Sequence, residues 1–128
     1  MSEKFIAEII TPDKTILKTE ANEIVIPSYE GEMGILKNHI PLITFLRPGI
    51  IKILDQSNTN YFVEEGTVEF ANNILLILTS TAKDMSSMDK NSLNILITEA
   101  EKRISSDDAS DKEKYLLAYK INTLKAII

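Results

Sequence analysis

Few residues in this chain could do chemistry, and the best of them sit close together. The only histidine, His39, follows two carboxylates, Glu30 and Glu32, in a run over residues 30–49 that also holds three of the four glycines and two of the four prolines. An imidazole near paired carboxylates is the raw material of general acid–base catalysis, or of the base in a hydrolase triad. No serine stands in a nucleophile-elbow context, however. With no cysteine in the chain, a zinc site would have to be built from carboxylates almost alone beside His39. Gly31 and Gly34 are followed by strand-like residues, whereas a phosphate-binding fingerprint needs a helix there. Asp107, Asp108 and Asp111 lack the spacing and terminal glutamate of a calcium loop. Met85 and Met88 read as packing residues in a connector. The expectation is a chain with no catalytic residues, no metal and no cofactor. In it, the glycines and prolines of residues 30–49 hold a backbone shape for binding.

Composition narrows the class of partner. The 128 residues suit one domain, or one domain with a small appendage. A net charge of -5 argues against nucleic acid, because neutralising phosphates takes clustered Lys and Arg. The lack of cysteine leans towards a reducing compartment. No apolar run approaches the roughly 20 residues of a membrane span. The first ten residues carry Glu3 and Glu8 and form neither a signal peptide nor an Arg-rich transit peptide. These features predict a soluble protein that reaches a membrane only through a partner.

Two periodicities divide the chain. Alternating apolar and polar residues predict strands over 4–10, 15–18, 23–26, 32–36, 50–54, 60–65 and 67–71. The strand at 23–26 is expected to stop at Pro27. Residues 40–46, interrupted by Pro41, read as an irregular or edge strand. Residues 74–79 form a continuous apolar run, the pattern of a strand buried on both faces. Turns are expected at 11–14, with Pro12 at the second position, at 20–22, 48–49, 65–66 and 72–73, and a hairpin loop at 55–60. Residues 80–88 read as a connector. Short strands at this spacing predict an N-terminal antiparallel β-sandwich of about ten strands, over residues 1–84.

Beyond it the period lengthens. Leu93, Leu96, Ile97, Ala100 and Ile104 form one helical stripe, with Asp89 as N-cap and Lys102 and Arg103 at the carbonyl end. After a polar break at 105–111, Ser110 and Glu113 have capping-box spacing, and Leu117, Ile121, Leu124 and Ile128 form a second stripe. Residues 85–128 are therefore expected to form an antiparallel two-helix hairpin.

The run Pro27-Ser28-Tyr29-Glu30-Gly31-Glu32-Met33-Gly34-Ile35-Leu36, then His39, Pro41-Leu42 and Arg47-Pro48-Gly49, resembles the signature of the epsilon subunit of the F-type ATP synthase, homologous to the mitochondrial delta subunit. The likeness extends to Ile9-Ile10-Thr11-Pro12, to Gly66-x-Val68-Glu69 and to the helical pair. It implies a non-catalytic central-stalk subunit that couples rotation of the gamma subunit to the membrane c ring in proton-driven ATP synthesis. By the same resemblance Glu30, Gly31, Glu32, Met33 and Gly34 form a loop facing the c ring, and His39, Pro41 and Leu42 face the stalk. The hairpin would fold down, or extend along gamma and block hydrolysis. In the extended form Arg103, Lys112, Lys114, Lys120 and Lys125 would meet acidic groups on the alpha/beta subunits; the plainer reading of these residues is a solvated face that aids such contact. The implied location is the cytoplasmic side of a bacterial inner membrane, as a peripheral protein.

The chain departs from the family at one motif. Some bacterial relatives bind ATP through Ile/Leu-Asp-x-x-Arg-Ala. Here Met88-Asp89-Lys90-Asn91-Ser92-Leu93 keeps the Asp and has Ser92 and Leu93 at the Arg and Ala positions. Losing the guanidinium removes bidentate phosphate recognition, so weak or absent ATP binding is expected. A second reading of the chain as a whole is a β-sandwich peptide- or ligand-binding module with a helical dimerisation hairpin. An enzyme built on Glu30, Glu32 and His39 would require those side chains to converge.

Overall fold

The computed structural model describes residues 3–55 and 59–127. Contacts divide the chain into two compact units, Met1–Ser86 and Ser87–Ile128. The first unit holds ten strands: β1 (Phe5–Ile10), β2 (Thr15–Ala21), β3 (Glu23–Ser28), β4 (Gly31–Leu36), β5 (Leu42–Leu46), β6 (Gly49–Leu54), β7 (Asn60–Val63), β8 (Gly66–Ala71), β9 (Ile74–Thr79) and β10 (Ala82–Asp84). They run β10-β7-β6-β3-β5-β8-β9-β1-β2, with β4 on the other edge of β3. The path is thinnest at β3–β5, joined by the single pair Ser28–Leu46. There the sheet folds over, so that β10-β7-β6-β3-β4 and β5-β8-β9-β1-β2 enclose one core. Ile24, Ile26, Ile35, Ile51 and Ile53 come from the first half, and Phe5, Ile9, Val68, Phe70, Leu75 and Ile77 from the second. All ladders are antiparallel except β1–β9, which is parallel.

Several sequence expectations are corrected here. β3 runs through Pro27 to Ser28. The carbonyl of Pro27 accepts the Arg47 N–H at 2.9 Å, and carbonyl and N–H of one strand residue point the same way. The missing N–H of Pro27 therefore falls where β3 passes from pairing with β6 (residues 23–25) to its single pair with β5, and no ladder bond is lost. The Gly49 backbone makes room for the proline ring: a Cβ there would lie 2.6 Å from Pro27 Cβ. β2 extends to Ala21, past the polar residues expected to end it. β5 begins after Pro41 and is laddered to β8 along its full length. The connector at 80–88 contains β10 and a single 3-10 turn, Met85–Ser87. β9 is buried on one face only: Leu75, Ile77 and Thr79 point inward, while Ile74 and Leu78 are each 44% exposed. Of the hairpin loop expected at 55–60, residues 56–58 lie outside the described residues.

The second unit holds helices α1 (Lys90–Ile104) and α2 (Asp111–Ile127), packed against each other. Asp89 caps α1 by accepting the Ser92 N–H at 2.7 Å. Ser110 Oγ accepts the Glu113 N–H at 3.1 Å at the start of α2. Leu93, Ile97 and Ala100 of the first stripe are buried, as are Ile121 and Leu124 of the second, while Leu96, Ile104 and Leu117 are half-buried. Ala109, in the turn between the helices, is buried as well.

Candidate protein-docking surface

One exposed apolar feature of the β unit is the outer face of the β5-β8-β9-β1 half. Strand register places the side chains in rows. One row runs Ile43, Glu69, Leu76, Glu8, and the next Phe45, Thr67, Leu78, Ile10. A third runs Ala71, Ile74, Ile6. Ile43 is 76% exposed and Phe45 56%. Partners in register share a face, so these residues form one contiguous surface. Its apolar centre is broken by the exposed carboxylate of Glu69 and flanked by Glu8, which pairs with Lys18 at 3.9 Å. An apolar patch of this kind on an otherwise charged chain is a candidate protein–protein contact.

A loop packs at the β8–β9 turn end of this half of the sandwich. His39 follows β4, and its N–H donates to the Leu36 carbonyl at 3.1 Å. Its Nδ1 donates to the Ile40 carbonyl at 2.7 Å, which requires the Nδ1–H tautomer. The imidazole meets the Phe70 ring edge to face at 6.0 Å, and Phe70 in turn meets Phe5 at 5.6 Å. Ile40, next in the chain, is 74% exposed. Asn38 and Asn73, 35 residues apart, hold this loop to the β8–β9 turn. The Asn38 N–H donates to Asn73 Oδ1 at 2.7 Å, and Asn73 Nδ2 donates to Asn38 Oδ1 at 3.1 Å.

The residues singled out in the sequence fall into separate places. Residues 31–34 are the first part of β4 and not a loop; only Tyr29 and Glu30 form the turn before it. That turn is shaped by Gly31, at φ 125°, whose carbonyl accepts the buried Ser28 hydroxyl at 2.6 Å. Glu30 and Glu32 are exposed, and Glu32 pairs with Lys52 at 3.6 Å. Met33 packs partly against the core, and Gly34 lies in mid-strand against the Glu23 carboxylate. Pro41 is exposed, but Leu42 turns towards the core, leaving its neighbour Ile43 on the outer face. Glu32 and His39 lie at opposite ends of β4, separated by four residues of strand, or about 13 Å. They do not converge. Among the described residues no group of three or more His, Asp or Glu side chains could hold a metal ion. A cavity of about 550 Å³ opens at one edge of the outer face, between the β1–β2 turn and the ends of β8 and β9. Its lining includes Ile10, Pro12, Thr67 and Leu78, with Glu65 as its one ionisable group.

In the hairpin the chemistry-bearing residues hold structure. Asp89 is engaged as the N-cap, and hydrogen bonds from Ser92 pull its carboxyl below the usual range. Arg103 forks onto Glu113 through Nε at 2.5 Å and Nη2 at 2.8 Å, and reaches Asp108 at 3.2 Å. The guanidinium hydrogen bond is the main reason the Glu113 carboxyl is lowered, with the Ser110 backbone adding to it. Asp108 is lowered first by the Ser106 hydroxyl and then by Arg103. Lys125 pairs with Glu101 at 3.1 Å. Two of the basic residues expected to be available to a partner, Arg103 and Lys125, are thus committed between the helices. No helix among the described residues is long and apolar enough to cross a membrane.

Sequence reasoning missed the outer face as a site. The signal was present in Ile43, Phe45, Leu76 and Leu78, but only the register assembles them.

Residues 4–85 match the model of the ATP synthase delta/epsilon chain β-sandwich domain. The ATP synthase epsilon chain of Pelagibacter ubique (strain HTCC1062) is 48% identical over 99% of both chains. The chloroplastic ATP synthase epsilon chain of Pyropia yezoensis is 36% identical over 92% of this chain and 88% of its own. A chain in the structure of the Euglena gracilis mitochondrial ATP synthase (OSCP, F1 and c-ring, rotational state 1) superposes with a TM-score of 0.80. That match, at 25% identity, covers 96% of this chain and 80% of that one. By sequence along its whole length and by fold, the chain belongs to the ATP synthase delta/epsilon family of non-catalytic subunits.

Proposed function

We propose that this chain is a rotor subunit that couples the gamma subunit to the c ring, and that the outer face of β5-β8-β9-β1 is its gamma-docking surface. The observation that carries the reading is β9. It is apolar on both faces, yet only Leu75 and Ile77 are buried by the chain itself; Ile74 and Leu78 stay exposed. A strand with this composition is completed by a partner that covers its second face. Ile43 and Phe45 of β5 lie on the same face, and Ile40 and Pro41, just ahead of β5, are exposed as well. Glu30, in the turn before β4, and Glu32, both polar and exposed, suit contact with the polar loops of a c ring, the membrane component named with the Euglena relative. We assign docking to the β unit, and to the helical unit beyond it the control of hydrolysis that the family resemblance implies. The protein would then sit at the cytoplasmic side of a bacterial inner membrane, held there by its partners. Co-expression with the gamma subunit tests the reading. A stoichiometric complex is expected on size exclusion. A chain that elutes alone, or as its own dimer, would overturn it.

A further inference from the structure

We infer that the Asn38–Asn73 amide pair is a positioning element for the docking of gamma: it presets the loop bearing His39 and Ile40 at the β8–β9 turn end of the sandwich before the partner arrives. The inference rests on the docking reading above and adds to it the residues that give the surface its shape.

Three features of the pair support this. First, the contact is reciprocal. Asn73 uses its carbonyl oxygen for the Asn38 N–H and its amide nitrogen for the Asn38 side-chain oxygen, so one side chain closes a ring of two hydrogen bonds. Second, both residues hold left-handed backbone, Asn38 at φ 68° and Asn73 at φ 59°, and Asn72 precedes Asn73 at φ 54°. Two positive φ values between paired strands make the β8–β9 connection a type I′ hairpin turn, which fixes where Asn73 points. Asparagine tolerates this region, and here the residue that tolerates it also supplies the amide. Third, Asn73 is tied to the sheet on its main-chain side, since its carbonyl accepts the Ile6 N–H at 3.1 Å. The loop is thus anchored through one residue to β1, and through the His39 ring to Phe70 of β8.

What the anchor presents is Ile40, a large apolar side chain 74% exposed on a loop, and then Ile43 on the strand that follows. The bonds themselves are exposed, so each adds little to the stability of the free chain. Their effect falls on association, where a preset loop avoids the ordering cost a loose one incurs on binding. The separation between the two effects is what makes the role testable.

Glycine variants separate backbone from clamp. Asn73→Gly keeps the positive φ and the turn but removes both side-chain bonds. Asn38→Gly keeps its N–H donor to Asn73 and loses one bond. Asn38→Asp keeps an acceptor for Asn73 Nδ2 and is the conservative rescue. The full-length variants are measured for affinity to purified gamma subunit by biolayer interferometry, and for Tm by circular dichroism. Asn73→Gly is expected to weaken binding on the order of tenfold, with Asn38→Gly smaller and Asn38→Asp closest to wild type, while Tm shifts by only a few degrees. Wild-type affinity in both glycine variants overturns the inference, as does a loss of affinity that simply follows a loss of Tm. Ile43→Asp, measured alongside, distinguishes the two levels of the argument. If it weakens binding while Asn73→Gly does not, only the clamp fails. If Ile43→Asp also binds normally, the docking surface is wrong and the clamp falls with it.

Discussion

Phe70 is where stability and the docking loop meet, and replacing it gives a quantitative test. Its ring is 1% exposed, in register with Leu42 on β5 and Leu75 on β9, and it makes edge-to-face contacts with Phe5 at 5.6 Å and His39 at 6.0 Å. Phe70→Ala removes the ring from the middle of one half of the sandwich. Strands on both sides of β8 keep the gap from closing, so the cost should be about 3–5 kcal/mol. Phe70→Leu keeps most of the volume and loses the two aromatic contacts, each about 0.5–1.5 kcal/mol, for a total of roughly 1–3 kcal/mol. At about 4–8 °C per kcal/mol for a unit of this size, Phe70→Ala should lower Tm by roughly 12–40 °C and Phe70→Leu by clearly less. The assay is urea and thermal unfolding of the full chain, followed at wavelengths that report the β unit. His39→Ala in both backgrounds isolates the imidazole contact, with an expected coupling of about 0.5–1 kcal/mol. A Phe70→Ala variant within about 1 kcal/mol of wild type would refute the reasoning, because it would mean the two halves do not close on this ring. A zero coupling would show that His39 is not anchored by Phe70.

The hairpin should loosen in acid. Arg103 holds the Glu113 carboxyl below its ordinary value of 4.5, so its contribution is fully present above that pH and is lost as pH falls through the lower folded value. Helical signal should therefore decline below pH 4.5 in wild type and with a shallower slope in Glu113→Gln; identical acid profiles would contradict the assignment. Isothermal titration with ATP should show no saturable binding at micromolar concentrations, because Ser92 stands where relatives with the ATP motif have arginine and Asp89 is occupied by the Ser92 N–H at 2.7 Å. Micromolar saturation would reverse that reading.

The helical hairpin was legible almost residue by residue. Its stripes, the Asp89 cap and the Ser110–Glu113 spacing are local patterns, and local hydrogen bonds realise them. Strand positions were legible for the same reason, since alternation reports burial directly. What was not legible depends on partners distant in sequence. Pro27 looks like a strand end until the change of neighbours along β3 leaves its missing donor in a gap. β10 carries only three residues, Ala82–Asp84, and exists because β7 offers it an edge at Val63, Phe62 and Tyr61. Asn38 and Asn73 read as two unrelated turn residues; only the fold places their amides together. β9 is the most instructive case. Its unbroken apolar run predicted burial on both faces, and the chain alone buries one. On the proposed reading a partner covers the other face, so the misreading of the fold became the observation on which the proposed docking surface rests.

That surface is the central claim, and substitution at its middle tests it most directly. Ile43→Asp and Leu78→Asp place carboxylates on side chains that are already 76% and 44% exposed, so the free chain should fold with a Tm near that of wild type. Buried under gamma, each unpaired charge should weaken the complex by at least about thirtyfold, and the double variant should fail to co-purify with it. A folded double variant that still binds gamma with wild-type affinity would contradict the account, and would place the rotor interface on another face of the sandwich.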